Sequence, residues 1–253
     1  MRRLYFTFVI LVTLGCFMVY KSKKNQELFS KNITKDVEEN SIIPVSKIYV
    51  NEGLYDPKVY IYNTHQKENY ADDFLNFNPS VLDAAHTLRD YLEELNIQTY
   101  VENADFYDFL ALNNWDFSKL YKVSRIYLED TMKRYKNIKI YIDLHRDSIK
   151  HDLSTITING KDYAKILFVV GLSHDNYKEN LNVAKKLNSI ITSKTNISRG
   201  ILQKSSANAN GIYNQDLNNK IVLIEIGGYQ NKYSEVTNSL ELLAQSIKEY
   251  LNE

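Results

Sequence analysis

Sulfur chemistry is almost missing from this chain. Its single cysteine, Cys16, lies in the apolar N-terminal run, so no disulfide forms within the chain and no thiolate metal site exists downstream. Any zinc or iron must be held by histidine and carboxylate. An excess of positive charge is missing too: lysine plus arginine equals aspartate plus glutamate, at 31 each. Five of the basic residues (Arg2, Arg3, Lys21, Lys23 and Lys24) stand in the first 24 positions beside no acid, which leaves 26 basic against 31 acidic groups, a net of −5, for the rest. A mildly acidic domain without a basic stripe is a poor match for phosphate backbones, so no nucleic-acid partner is expected. Internal repeats and low-complexity blocks are absent from the body of the chain. The about 200 residues left after the N-terminal segment suffice for one domain with a full core.

One long apolar run is present. Leu4 to Tyr20 is nearly continuous apolar sequence between Arg2-Arg3 and Lys21-Ser22-Lys23-Lys24. As a helix it would measure roughly 25 Å against a hydrocarbon core of ~30 Å, a shortfall that flanking Lys and Arg make up by reaching to the interface. Residues 1–24 are therefore expected to form an uncleaved single-pass anchor in the cell membrane. A cleaved signal peptide is the rival, but no small-x-small cleavage site precedes the charged stretch. Gly15-Cys16 has a faint lipoprotein look, yet Thr13 stands where an aliphatic residue is expected. An anchored chain would hold its catalytic part outside the cytoplasm, although basic flanks on both sides indicate the orientation only weakly. Residues 25–52, rich in Lys, Asn, Ser, Glu and Gln without a period, read as a flexible linker.

Residues 53–253 carry the periodic pattern. Lys58 to His65 is a buried-strand run, and Pro79-Ser80 opens a helix with Ser80 as N-cap. Val81, Leu82, Ala85, Leu88, Leu92 and Leu95 keep to one face of that helix. Gln98 to Asn103 reads as a second strand and residues 119–135 as a second helix, its apolar face made of Leu120, Val123, Ile126, Tyr127 and Met132. Ile138 to His145 is the third strand. Ser154–Gly160 and Lys161–Gly171 suggest a hairpin-like pair turning at Asn159-Gly160. A helix is expected from Tyr177 to Lys194, strands over Ile197–Lys204 and Lys220–Gly228, and a closing helix from Glu235 to Leu251. Alternating strands and helices predict an α/β fold: a twisted, mostly parallel mixed sheet flanked by helices on both faces.

Three patches at strand ends carry chemistry: His65 with Glu68, His145, and Glu225. His65 and Glu68 can turn toward one point if the chain curls after its strand, and His145 can add a third donor. Two imidazoles and a carboxylate leave a fourth zinc position open, as catalytic zinc sites do, and water there ionises near pH 7. Glu225, in an otherwise apolar strand, is placed to move a proton between that water and a leaving nitrogen. Each signal has a plain structural reading as well. A histidine after a strand is more often a hydrogen-bonded structural group, and His-x-x-Glu is common by chance. Glu225 must face solvent or find a partner, since burying it unpaired is costly; alternation sets it opposite Ile224 and Ile226, with Leu223 on its own side. His151 is an alternative to His145 as ligand, though it sits in a polar loop. His86 lies off its helix's apolar face and His174 in a turn.

Several motifs run in an order that resembles the stage II sporulation protein P family of endospore formers, relatives of the type 3 zinc N-acetylmuramoyl-L-alanine amidases. They are YNTHQKENY, DLHRDS, TINGKDYAKILFVVG, RGI, YNQDL and LIEIGGYQN, within roughly residues 57 to 250. The resemblance implies one zinc ion held by His65, His145 and Glu68, with Glu225 as the catalytic carboxylate. It further implies Arg146, Asp147, Asn214 and Gln215 as substrate contacts or supports of the ligands. Asn63 departs from the pattern, since the family often has His there, which leaves His65 as the ligand of that motif. The activity implied is cleavage of peptidoglycan between the lactyl group and L-Ala, with an additional endopeptidase action. Its role would be remodelling the sporulation septum for engulfment, with sporulation proteins D and M as partners and the membrane reached through the N-terminal helix. A non-catalytic wall-binding or scaffolding module on the same fold is the alternative, and a metallopeptidase cutting crosslinks is a third.

Overall fold

Strand β1 (Val59–Tyr62) is buried on both sides, and its alternation sets the layers of the molecule. Val59 and Ile61 join one apolar cluster, Tyr60 and Tyr62 another. The computed structural model describes residues 55–71, 78–207 and 209–253. The expected anchor and the whole of the expected linker lie outside the described residues. Among those described, no helix is long and apolar enough to cross a membrane.

The remaining strands are β2 (Thr99–Val101), β3 (Ile140–Asp147), β4 (Thr155–Ile158), β5 (Lys161–Ala164), β6 (Ile166–Gly171), β7 (Ser198–Lys204) and β8 (Ile221–Gly228). Six of them form a sheet in the order β2-β1-β3-β8-β6-β7. All neighbouring pairs are parallel except β6 with β8, which are antiparallel. The helices are α1 (Val81–Glu94), α2 (Phe106–Leu112), α3 (Leu120–Arg134), the single turn α4 (His151–Ser154), α5 (Tyr177–Lys194) and α6 (Tyr233–Asn252). Helices α1, α5 and α6 pack on the face that carries Val59, Ile61, Ile142, Leu144, Phe168 and Ile224. Leu128 of α3 packs on the opposite face with Tyr60, Tyr62 and Tyr141. The α/β sheet with helices on both faces is thus present.

Local chemistry explains the ends of these elements. Ser80 Oγ accepts from Asp83 N at 3.4 Å while Asp83 Oδ2 accepts from Ser80 N at 2.7 Å, a reciprocal cap that starts α1. Asn159 and Gly160, at φ 52° and 76°, turn β4 into β5 with only those two residues between them. The expected long strand after this turn is two strands. β4 and β5 form a separate ribbon, and the chain enters the main sheet only after Lys165, whose N donates to Ser154 O. Helix α3 also departs from its expected face. Leu120, Val123 and Tyr127 are buried as expected, but Ser124 and Thr131 are buried in place of Ile126 and Met132. Apolar periodicity cannot find buried polar residues, because what places them is a hydrogen-bond partner elsewhere in the fold. The paired Gly227 and Gly228 close β8 tightly: a Cβ on Gly228 would stand 2.2 Å from Ile149 O.

The connections leave β1 and β3 in opposite directions. β1 runs through α1 to β2 on one side, and β3 runs through α4 and the β4–β5 ribbon to β6 on the other. The carboxyl ends of neighbouring parallel strands whose connections diverge leave a crevice. His65 follows β1 and His145 lies two residues before the end of β3, so both stand at that crevice. Asn63 braces it from the α1 face. Its Nδ2 donates to Leu144 O at 2.6 Å and Val81 O at 3.1 Å, tying the end of β1 to β3 and to the first turn of α1.

Asn63→Ala removes the donor to two buried carbonyls. The expected cost is about 1–3 kcal/mol, read as a lower urea midpoint with an unchanged slope.

Candidate metal centre

The sheet register brings β3 and β8 side by side so that Tyr141, Asp143 and His145 oppose Ile221, Leu223 and Glu225. Alternation puts all six on the α3 face. The same rule placed Glu225 opposite Ile224 and Ile226, which join the other cluster. Toward the carboxyl end the row turns from apolar to ionisable. Its last members, His145 and Glu225, are register partners.

After β1 the chain curls: Glu68 N donates to His65 O at 3.0 Å, a one-turn return that aims both side chains at His145. His65 Nδ1 stands 3.2 Å from Glu68 Oε1, and His145 Nδ1 stands 3.4 Å from Glu68 Oε2. One ligand atom from each of the three residues lies within 4.8 Å of the other two. Donors about 2.0–2.2 Å from a common tetrahedral ion are roughly 3.4 Å apart, so small side-chain rotations suffice to close on one. The donor set fits zinc by chemistry too, being imidazole nitrogen and carboxylate oxygen with no competing thiolate. His65 and Glu68 are partly exposed and His145 is 3% exposed, which gives the group an open side and a buried side.

Behind His145 stands Asp143, a residue that strand periodicity alone did not single out. It is 0% exposed. Its Oδ1 accepts from Thr64 N at 2.9 Å and its Oδ2 from Thr64 Oγ1 at 2.8 Å, and Oδ1 also lies 2.9 Å from His145 Nε2, without the alignment of a hydrogen bond. Thr64 Oγ1 also lies 2.9 Å from Ser124 Oγ, which accepts from Asn214 Nδ2. A carboxylate behind a ligand histidine fixes its tautomer and orientation. The sequence did hold a signal: Asp143 is two residues before His145, so it shares its face. Phe117 was missed as well. Its ring stacks on His65 at 5.5 Å and 21°, yet the residue is 60% exposed, an aromatic ledge beside the centre.

The remaining candidates divide. Arg146 N donates to Glu68 Oε2 at 3.1 Å, while its guanidinium binds the carbonyls of Asn69 and Asp147, pinning the curl against β3. Asp147 Oδ2 accepts from Arg199 Nη1 at 2.7 Å. Asn214, at φ 56°, joins the Ser124 chain rather than facing the crevice. Gln215 is fully buried, and its amide serves the backbone of β6 through Gly171 N and Val169 O; it supports the sheet and is out of a substrate's reach. His151 is not in the group, since its Nε2 lies 2.8 Å from Glu235 Oε1.

The two carboxylates are driven apart. Burial by itself would raise Glu68, but hydrogen bonds from His145 and His65 hold it far below the ordinary carboxylate range. Glu225 is pushed up to about 7, chiefly by burial, against the pull of His145 and with the repulsion of Glu68, Asp147 and Asp143. The residue is partly exposed, but its Oε2 is enclosed and has no hydrogen-bond partner. That oxygen thus neither meets solvent nor finds a partner, which shifts the carboxyl toward its protonated form. His145 moves well above the ordinary histidine range: burial opposes this, and Asp143 and Glu68 outweigh it.

The sequence profile of the stage II sporulation protein P family matches residues 18–248. A Stage II sporulation protein P of Bacillus subtilis (strain 168) is 31% identical over 201 residues, covering 76% of this chain and 50% of that protein. The chain therefore spans about half the length of this curated relative. A solved structure of a candidate N-acetylmuramoyl-L-alanine amidase from Neisseria meningitidis aligns with 77% of this chain and 96% of its own, at 12% identity and a TM-score of 0.38. A likeness that slight bears on neither fold nor activity.

Two outcomes are expected of the centre. With His145 protonated in the metal-free protein, zinc must displace a proton, so calorimetry in buffers of different ionisation enthalpy should show proton release at pH 7 and affinity rising with pH. Asp143→Asn should weaken zinc about 10–100-fold. The second concerns Glu225 without metal. An acid raised from 4.5 to about 7 on folding favours the fold below pH 4.5, and that advantage is lost as pH rises to about 7. Glu225→Gln should therefore stabilise the metal-free protein at pH 8, by on the order of 3 kcal/mol at most, and not at pH 4. Equal melting shifts at both pH values would count against the raised carboxyl.

Proposed function

Because the chain belongs to the stage II sporulation protein P family, we propose that it is a zinc-dependent peptidoglycan hydrolase. The reaction is that of an N-acetylmuramoyl-L-alanine amidase, with an endopeptidase action besides, on septal peptidoglycan during sporulation and engulfment. One observation carries this reading: Glu225, whose Oε2 is enclosed and unpartnered and whose carboxyl is raised to about 7, is the register partner of His145 beside the His65–Glu68–His145 group. A structural carboxylate would be paired. A proton carrier needs to be near neutrality and free.

Zinc held by His65, Glu68 and His145 would supply Lewis acidity that lowers the barrier to attack of water on an amide carbonyl. Glu225 accepts the proton of the attacking water and returns it to the leaving nitrogen, the role of a carboxyl that can exchange a proton near neutral pH. Asp143 keeps the ring of His145 oriented through the whole cycle. The exposed ring of Phe117 offers a flat apolar surface at the mouth. The proposal includes an anchor at residues 1–24, a catalytic domain outside the cytoplasm at the sporulation septum, and sporulation proteins D and M as partners; family membership supports these.

Zinc-loaded protein is expected to release free stem peptides from purified wall, identified by product mass; shortened crosslinks among the products would show the endopeptidase action. Glu225→Gln should keep its zinc and lose about 10²–10⁴-fold in turnover. Binding to wall without any product from the zinc-loaded wild type would replace this reading with a wall-binding module.

A further inference from the structure

Arg199 stands at the same sheet edge as the metal group, although β7 is three strands away from β3. The reason is the reversal at β6. Because β6 runs antiparallel to β8, the amino ends of β6 and β7 lie beside the carboxyl ends of β3 and β8. The register runs from His145 to Glu225, then to Leu167. On β7, Ser198 pairs with Ile166 and Ile201 with Phe168, so Arg199 and Gly200 together oppose Leu167. That is a bulge. Gly200 has φ +88° and a Cβ there would meet nothing within 4 Å, so the backbone conformation, not space, asks for glycine. Bulges re-aim the side chain beside them.

Here the bulge sends Arg199 back toward the centre. Its Nη1 donates to Asp147 Oδ2 at 2.7 Å, two residues past the ligand His145. Asp147 is at the end of β3, so the contact between the two side chains bridges β3 and β7 over the ends of β8 and β6. Among the described residues Asp147 is the only recorded partner of Arg199, so the rest of the guanidinium fork is free. Both side chains are partly exposed, at 26% and 19%, and such pairs add little to stability. Arg146, by contrast, has its guanidinium on two main-chain carbonyls. Arg199 is thus a cation with spare donors, held at the mouth and reachable from solvent.

We propose that Arg199 anchors a free carboxylate of the peptide substrate, one or two residues from the amide held at His65, Glu68 and His145. The identification of the ligand as a peptide rests on the hydrolase reading. The span fits: Asp147 is about 6.6 Å along β3 from His145, and an extended peptide covers about 3.3–3.6 Å per residue. A planar fork with an open edge takes a carboxylate by paired hydrogen bonds, a geometry that lysine cannot reproduce.

The test uses the zinc-loaded full chain carrying Glu225→Gln, so that binding is read without turnover. Two muramyl peptides are titrated, one with a free carboxylate on its second residue and one with a carboxamide there. The acid should bind roughly 10–100-fold more tightly than the amide. Adding Arg199→Ala should abolish that preference with zinc content unchanged, and Arg199→Lys should keep part of it, which also covers a failure of the alanine variant to fold. Asp147→Asn should retain the preference, because it frees the fork. Equal affinities in the parent, a preference that survives Arg199→Ala, or its equal loss in Asp147→Asn would each overturn the proposal. Turnover of the wild type on the acid peptide is measured alongside. Preference without cleavage would sink the hydrolase and leave the anchor standing; cleavage without preference would do the reverse.

Discussion

A carboxylate with no access to water organises the crevice. Asp143 sits in a strand of Ile, Tyr and Leu, where an unpaired charge would be prohibitively costly. It meets that demand with the N–H and hydroxyl of Thr64 and with the approach of His145 Nε2. Thr64 is the residue before His65, so satisfying Asp143 also fixes where the His65 turn leaves β1. The hydroxyl of Thr64 passes the constraint to Ser124 on α3 and from there to Asn214. Four segments distant in sequence are therefore held to one another by a single buried acid.

That arrangement separates the acids around it. Glu68 is stabilised as an anion by the histidines and by the Arg146 N–H. Glu225, one strand across from His145, receives no hydrogen bond on its enclosed oxygen and rises toward neutrality. Carboxylates whose surroundings push them in opposite directions are suited to different tasks. The anion suits a metal ligand's place. The protonatable one can carry a proton. Neither property belongs to glutamate as a residue; each follows from what surrounds it.

Much of the fold could be read from periodicity. The run from Tyr177 to Lys194 is a helix over those same residues, and alternation assigned Glu225 to the face of Leu223. The misreadings share a cause. Ser124 and Thr131 replaced Ile126 and Met132 on the buried face of α3 because their places depend on partners outside the helix. Lys161 to Gly171 read as one strand, but Lys165 leaves the ribbon at a point fixed by Ser154 O. Gln215 was given a substrate or supporting role by resemblance, and the structure has β6 take up its amide. His65, Glu68, His145 and Glu225 stood out by residue type at strand ends, while Asp143 showed only that it shares the face of His145, and Phe117 acquired meaning only from its neighbours.

The sequence alone determined which residues can bind metal at all, since one cysteine in the N-terminal run leaves only imidazole and carboxylate. It also determined the α/β alternation and the side of each strand that a residue occupies, because these follow from local periods of 2 and 3.6. Only the tertiary structure decided that β1, β3 and β8 end at one crevice, that β6 runs backward and brings Arg199 to it, and that Asp143 stands behind His145. Those depend on strand order and direction, which arise from packing between distant segments and leave no periodic trace along the chain.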